Sequence, residues 1–246
     1  MGPPLEQSGG PEEACVTAPP IDPSPVLLYD AQRDSHHARP RWRGSLHAVW
    51  CVLSLAAGIP LVIAAEDGAE TLGVAVYVAA LVGLFGTSAA YHRGTWTPTA
   101  RRVMQRLDQT MITVLVAGTA TPIALLAVRG TAGTLLLGLI WTCALSAIVL
   151  HLFFLQVPEL LMGGVFVGLG LVSALGLPAL WDTAGHAAGW LVLGGGALYI
   201  AGAVGFHLRR PDPRPLVFGY HEVFHVWVCV AASCHFAAIA LLVAAR

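Results

Sequence analysis

Residues 220–244 read YHEVFHVWVCVAASCHFAAIALLVA, an apolar run that opens on two histidines flanking a glutamate. A helix rises about 1.5 Å per residue, so this run is long enough to cross a hydrocarbon core about 30 Å thick. Working back from it, comparable runs lie near 46–65, 71–91, 109–128, 132–152, 160–181 and 187–207, separated by short polar breaks. Lipid offers the backbone no hydrogen-bond partner, so each run must be helical. The sequence predicts an all-α, polytopic integral membrane bundle of seven helices over 45–246, seated in the cell (plasma) membrane. Composition agrees: the chain is 56% hydrophobic and 11% charged, where a soluble domain carries about 25% charged residues.

The first 44 residues read differently. Eight of the 16 prolines fall within the first forty positions, among scattered acids and glycines. No apolar signal-peptide core is present there, and the segment 1–44 is expected to be a disordered, Pro-rich cytoplasmic tail. Cys15, Cys51, Cys143, Cys229 and Cys234 show neither a disulfide framework nor a CxxC knuckle. They read as reduced thiols acting as small hydrophobes. The formal net charge of -1 gives no basic field for nucleic acid. Gly163-Gly164 and Gly194–Gly196 read as surfaces for close helix packing, since no strand precedes them to make a phosphate loop.

Orientation follows from the arginines. With the N-terminus inside, the inner segments hold Arg33, Arg39, Arg41 and Arg43, then Arg93, Arg101, Arg102 and Arg106, then Arg209, Arg210 and Arg214. The outer side keeps Arg129 and Arg246, with Glu66, Asp67, Glu70 and Asp182 in its breaks. This obeys the positive-inside rule, and an odd number of spans then places the C-terminus outside.

Ionisable groups within spans are expensive and mark candidate sites. That topology brings His92 at the end of the second span, Asp108 at the start of the third, and His221, Glu222 and His225 at the start of the seventh to one depth. His221 and His225 are four residues apart, on one helical stripe, as are the two histidines of a zincin helix. His92 would supply a third ligand, leaving one zinc position open as in catalytic sites. Cys229 continues the stripe one turn deeper and would close such a site, although it also reads as core. Ser88 lies one turn before His92 and reads either as a back-bond within its helix or as a partner of Asp108. Asp108 reads equally as the N-cap of the third span. Glu222 points about 100° away from His221 and reads as a supporting group. His47, His151 and His207 read as ordinary interfacial histidines, and His235 as a buried polar contact rather than a ligand.

Three motifs, SAAYH at Ser88–His92, RLDQ at Arg106–Gln109 with AGTATP at Ala117–Pro122, and GYHEVFH at Gly219–His225, resemble the hemolysin III family. That family belongs with the progestin and adipoQ receptors and, more distantly, the alkaline ceramidases. The resemblance covers about 46–244. It implies seven helices, a cytoplasmic N-terminus and an intramembrane Zn2+ held by His92, His221 and His225, with Ser88 and Asp108 beside it. Gln109 departs from the family, where bacterial relatives often have histidine.

The function expected from these residues is zinc-dependent hydrolysis of a ceramide-like lipid amide, with Asp108 as proton acceptor and Ser88 assisting. Membrane lipids are then the partners. A non-enzymatic protein of membrane-lipid homeostasis or sensing, with structural zinc, is the alternative from another class. The family label adds membrane permeabilisation, which would want a continuous polar stripe that the spans lack. The short outer segments offer little surface for a protein hormone.

Overall fold

A computed structural model of the chain describes residues 2, 27–30, 35–38, 40–66, 68–128, 130–153 and 159–246. Most of the 1–44 segment expected to be disordered lies outside the described residues, as do Cys15, Arg33, Arg39, Asp67 and Arg129. The chain divides into two units, 1–39 and 40–246. Within the first, β1 (Leu27–Asp30) and β2 (Ser35–Ala38) pair antiparallel, with Leu27 opposite Ala38 and Asp30 opposite Ser35.

The second unit is helical. Its elements are α1 (Ser45–Ala64), α2 (Gly68–Arg93), α3 (Pro98–Pro122), α4 (Gly130–Phe153), α5 (Glu159–Ser173), α6 (Leu177–Leu208) and α7 (Tyr220–Ala244). Six helical segments are long and apolar enough to cross a membrane: 45–64, 68–93, 98–127, 130–152, 160–208 and 220–244. Tyr77, Phe85, Leu180, Ile239 and Leu242 fill the interior, while Val52, Ile63, Leu72, Leu135, Leu160, Leu171 and Trp190 face outward. An apolar exterior of this kind is stable against hydrocarbon and a liability against water.

Some polar residues within the helices are satisfied by carbonyls of their own helix, and others across to a neighbouring helix. Thr119 and Thr121 donate to the carbonyls of Leu115 and Ala117, each at 2.8 Å, and Trp141 Nε1 donates to Thr121 Oγ1 at 3.1 Å. Pro122 has no N–H to continue the ladder, and α3 widens beyond it into a π-turn, Ile123–Ala127.

Two features differ from the sequence reading. The third helix begins at Pro98, eleven residues before the apolar run, with Thr97 as N-cap accepting from Ala100 N at 3.3 Å. Asp108 therefore lies in the third turn and is not a cap. Arginines 101, 102 and 106 look like a polar break, but long charged side chains tolerate a helical end well. Gly163 and Gly164 are not packing surfaces among the described residues: a Cβ built at either meets none of their atoms within 4 Å. Of Gly194–Gly196 the middle residue packs closely, Gly195 against His235, and further close approaches occur at Gly118 against Ala80 and Gly202 against Trp227.

The 160–208 segment is not one straight rod. Gly185 adopts φ 82°, ψ 170°, open to glycine and strained for other residues. Trp181 packs against His186 and Trp190, with ring centroids 6.2 and 6.0 Å apart. A continuous helix would separate residues 181 and 190 by about 13 Å along its axis, so the two helical pieces meet at a kink at Gly185.

Gly118→Val is expected to lower stability by about 1–3 kcal/mol, because its Cβ would sit 2.6 Å from that of Ala80. Gly164→Ala is expected to leave it unchanged or slightly raised. Thermal unfolding of the two variants in detergent checks the pair.

Candidate metal centre

The N-terminal ends of α1, α3 and α7 and the C-terminal end of α2 meet at one end of the helical unit. From α2 comes His92, and from α7 come His221 and His225. One donor atom from each of the three lies within 4.8 Å of the other two. His92 Nε2 and His221 Nε2 are 3.2 Å apart. Asp108, from α3, places Oδ2 at 3.6 Å from His92 Nε2. The Ser88 hydroxyl lies near the same carboxyl group.

These residues fit a small cation. Two imidazole nitrogens that share a tetrahedral zinc at 2.0–2.1 Å stand about 3.3 Å apart, close to the His92–His221 separation. His225 Nδ1 is buried with no hydrogen-bond partner. An unsatisfied imidazole nitrogen in such a setting is what a coordination bond satisfies, and imidazole sets suit zinc, copper, iron and nickel. Cys229 is buried in the apolar core and does not belong to the three-histidine group.

The shell around the histidines comes largely from α1 and the turn before it. Gly44, at φ 76°, brings the chain so close to α2 that a Cβ there would lie 2.7 Å from the His92 Cβ. Arg43 Nε donates to Glu222 Oε1 at 2.5 Å. Glu222 is fully buried, and its other oxygen accepts from Gly219 N at 2.8 Å, at the start of α7. Arg41 N and Trp42 N each donate, at 3.2 Å, to the carbonyls of Leu216 and Val217. Pro40–Gly44, the end of the stretch read as tail, is thus tied to the loop before α7.

His47 is the residue that the sequence reading set aside. It is buried, its Nδ1 lies 2.8 Å from Ser88 Oγ, and its ring stacks on His225 with centroids 3.7 Å apart and planes 9° apart. The available signal was its place near the start of the first span, at the depth of the other histidines. His235 behaves as read: Nε2 donates to the Val192 carbonyl at 3.1 Å. His151, on α4, does not join the cluster among the described residues.

Arg43→Ala leaves a buried carboxylate without its cation and is expected to cost on the order of 3 kcal/mol. Arg43→Ala with Glu222→Gln should recover part of that loss. Thermal unfolding of the single and double variants checks this, and equal stability of wild type and Arg43→Ala would count against the pair.

Residues 35–236 match the family model described as Haemolysin-III related. The chain is similar to "Hemolysin-3" of Bacillus cereus, at 31% identity over 187 residues, covering 74% of this chain and 81% of that protein. It is also similar to "Hemolysin-3 homolog" of Bacillus subtilis (strain 168), at 28% identity over 193 residues, covering 77% and 87% respectively. A shorter stretch of 92 residues, 33% of this chain and 40% of the relative, is 38% identical to "Heptahelical transmembrane protein ADIPOR2" of Oryza sativa subsp. japonica. With the matched region spanning all the elements of the histidine site, the chain belongs to the haemolysin III-related family of integral membrane proteins.

Proposed function

We propose that this protein is a seven-pass hydrolase of the plasma membrane that cleaves ceramide-like lipid amides at a zinc site formed by His92, His221 and His225. The observation that carries the reading is the set of three imidazole donors within 4.8 Å, with the Asp108 carboxyl 3.6 Å from one of them. His92, His221 and His225 would hold the zinc, which would make water acidic enough to ionise near neutral pH and would polarise a carbonyl. Asp108 accepts the proton released at the site. Ser88 donates its single hydroxyl proton to the Asp108 carboxylate and so orients the base. The apolar helices exclude bulk water and admit lipid from the side.

Seven passes follow if 160–208 crosses twice. Those 49 residues would run about 74 Å as a straight helix, more than twice the hydrocarbon core. The kink at Gly185 supports two passes, and so does the name of the rice relative, a heptahelical transmembrane protein. The arginines then support a cytoplasmic N-terminus, an outer C-terminus and a metal site at the cytoplasmic side.

One observation favours the alternative, a lipid-sensing protein with zinc as a structural clamp. An apolar groove lined by Trp190, Gly194, Ala197, Ala201 and Cys234 lies away from the histidines, its Cys234 about 13 Å along α7 from His225. Permeabilisation, which the bacterial relatives' names suggest, is disfavoured because deeper polar groups such as Thr119, Thr121 and His235 are tied to backbone carbonyls.

Elemental mass spectrometry of the purified protein is expected to find about one zinc per chain, lost on substituting His92, His221 or His225 by alanine. A metal-free wild type, under conditions that do not strip zinc, removes the hydrolase reading. Asp108→Asn should retain zinc and lose 10²–10⁴-fold in turnover of a lipid amide. Zinc without turnover of any lipid amide leaves the structural-clamp reading.

A further inference from the structure

We propose that His47 is a positioning residue of the metal centre, holding the His225 ring and the Ser88 hydroxyl in place through one imidazole. This rests on the three-histidine zinc reading above and adds a residue from a different helix to it.

The geometry excludes a ligand role. Imidazole lone pairs lie in the ring plane, and the His47 and His225 planes are nearly parallel, with centroids 3.7 Å apart. An ion in the His225 plane, at the usual 2.0–2.1 Å from its nitrogen, would sit well out of the His47 plane. The same stacking restricts what His225 can do: its ring cannot rotate about its long axis without striking His47. Phe85 closes the other approach to His47, edge-on, with centroids 5.0 Å apart.

The hydrogen bond acts on Ser88. A serine hydroxyl has one proton to give. When Asp108 acts as base its carboxylate accepts from Ser88, so Ser88 Oγ must accept from His47 Nδ1–H across the 2.8 Å contact. The chain His47 to Ser88 to Asp108 then has one direction, and the hydroxyl rotor is fixed by it. Outer partners that orient ligands in this way typically matter 10–100-fold to metal affinity or activity.

The neighbours of His47 make it part of a larger brace. Arg43, four residues earlier in the turn before α1, bonds Glu222, the residue after His221. Gly44 lies against His92. Residues 43–47 therefore touch each ligand or its immediate neighbour. His47 is the one whose side chain bears on both a ligand ring and Ser88.

The test uses the full chain in detergent micelles or nanodiscs, loaded with zinc for affinity by chelator competition and with cobalt(II) for its visible spectrum. His47→Ala is expected to weaken zinc binding 10–100-fold and to shift the cobalt bands. His47→Phe, which restores a ring against His225, should recover most of the affinity. His47→Asn, which keeps a hydrogen-bonding group near Ser88 but no ring, should not. If His47→Ala does not fold, the Phe and Asn variants carry the comparison. Wild-type affinity and an unchanged cobalt spectrum in the Ala variant, or in both the Phe and Asn variants, overturn the role of His47 and leave the three-histidine site standing. A wild type that takes up neither metal overturns the site and this role together.

Discussion

Hydrocarbon offers no hydrogen-bond partner, and each polar group set among these helices has to find one within the chain. For several hydroxyls along the bundle the solution is local. Thr119, Thr121, Ser146, Ser173 and Ser233 each return their hydroxyl to the carbonyl one turn earlier, at 2.8 Å. Such residues behave as small, nearly apolar side chains. At one end the pattern reverses. There the partners are long-range: Arg43 with Glu222, His47 with Ser88, His92 with His221 and Asp108. Local bonds hold whether or not the helices are packed together. Those at the end exist only when α1, α2, α3 and α7 are assembled, so the candidate chemistry depends on the assembled fold.

The spans were legible because hydrophobicity at membrane length is a strong signal. The apolar run 220–244 and α7 coincide, and α1, α2 and α4 begin within three residues of where the runs do. The start of α3 was not legible from hydrophobicity. It lies in an arginine-bearing stretch that emerges from the apolar run, and only the Thr97-Pro98 pair, a capping residue before a proline in the first turn, announces it. The glycine pair at 163–164 shows the reverse error. Composition says that a helix can be approached closely there, and only the packing says whether another helix does so.

At the site, residues sharing a helical stripe were legible and residues sharing only a depth were harder to rank. His221 and His225 carry their relation in their spacing. His92 and Asp108 join them only through topology, which the arginines supply. His47 has the same depth, yet nothing in its local sequence separates it from His207, and its partners Ser88 and His225 lie far along the chain. Glu222 was read as pointing away from His221. That direction turns it toward Arg43, in the turn before α1. A helical wheel tells where a side chain points but not what another element brings to meet it.

The position of Asp108 bears on what it can do. A carboxylate at an N-cap is committed to the orphan N–H groups of the first turn, and a base so engaged has little left for another proton. Thr97 takes that role instead, eleven residues earlier. In the third turn the backbone N–H groups around Asp108 already have helical partners. Its carboxyl group is therefore not claimed by the helix that carries it. Its polar neighbours are Ser88 and His92, both on α2. Extending α3 beyond the apolar run is thus what allows the acid to face the histidines. An aspartate that began the helix would have had to serve the helix first.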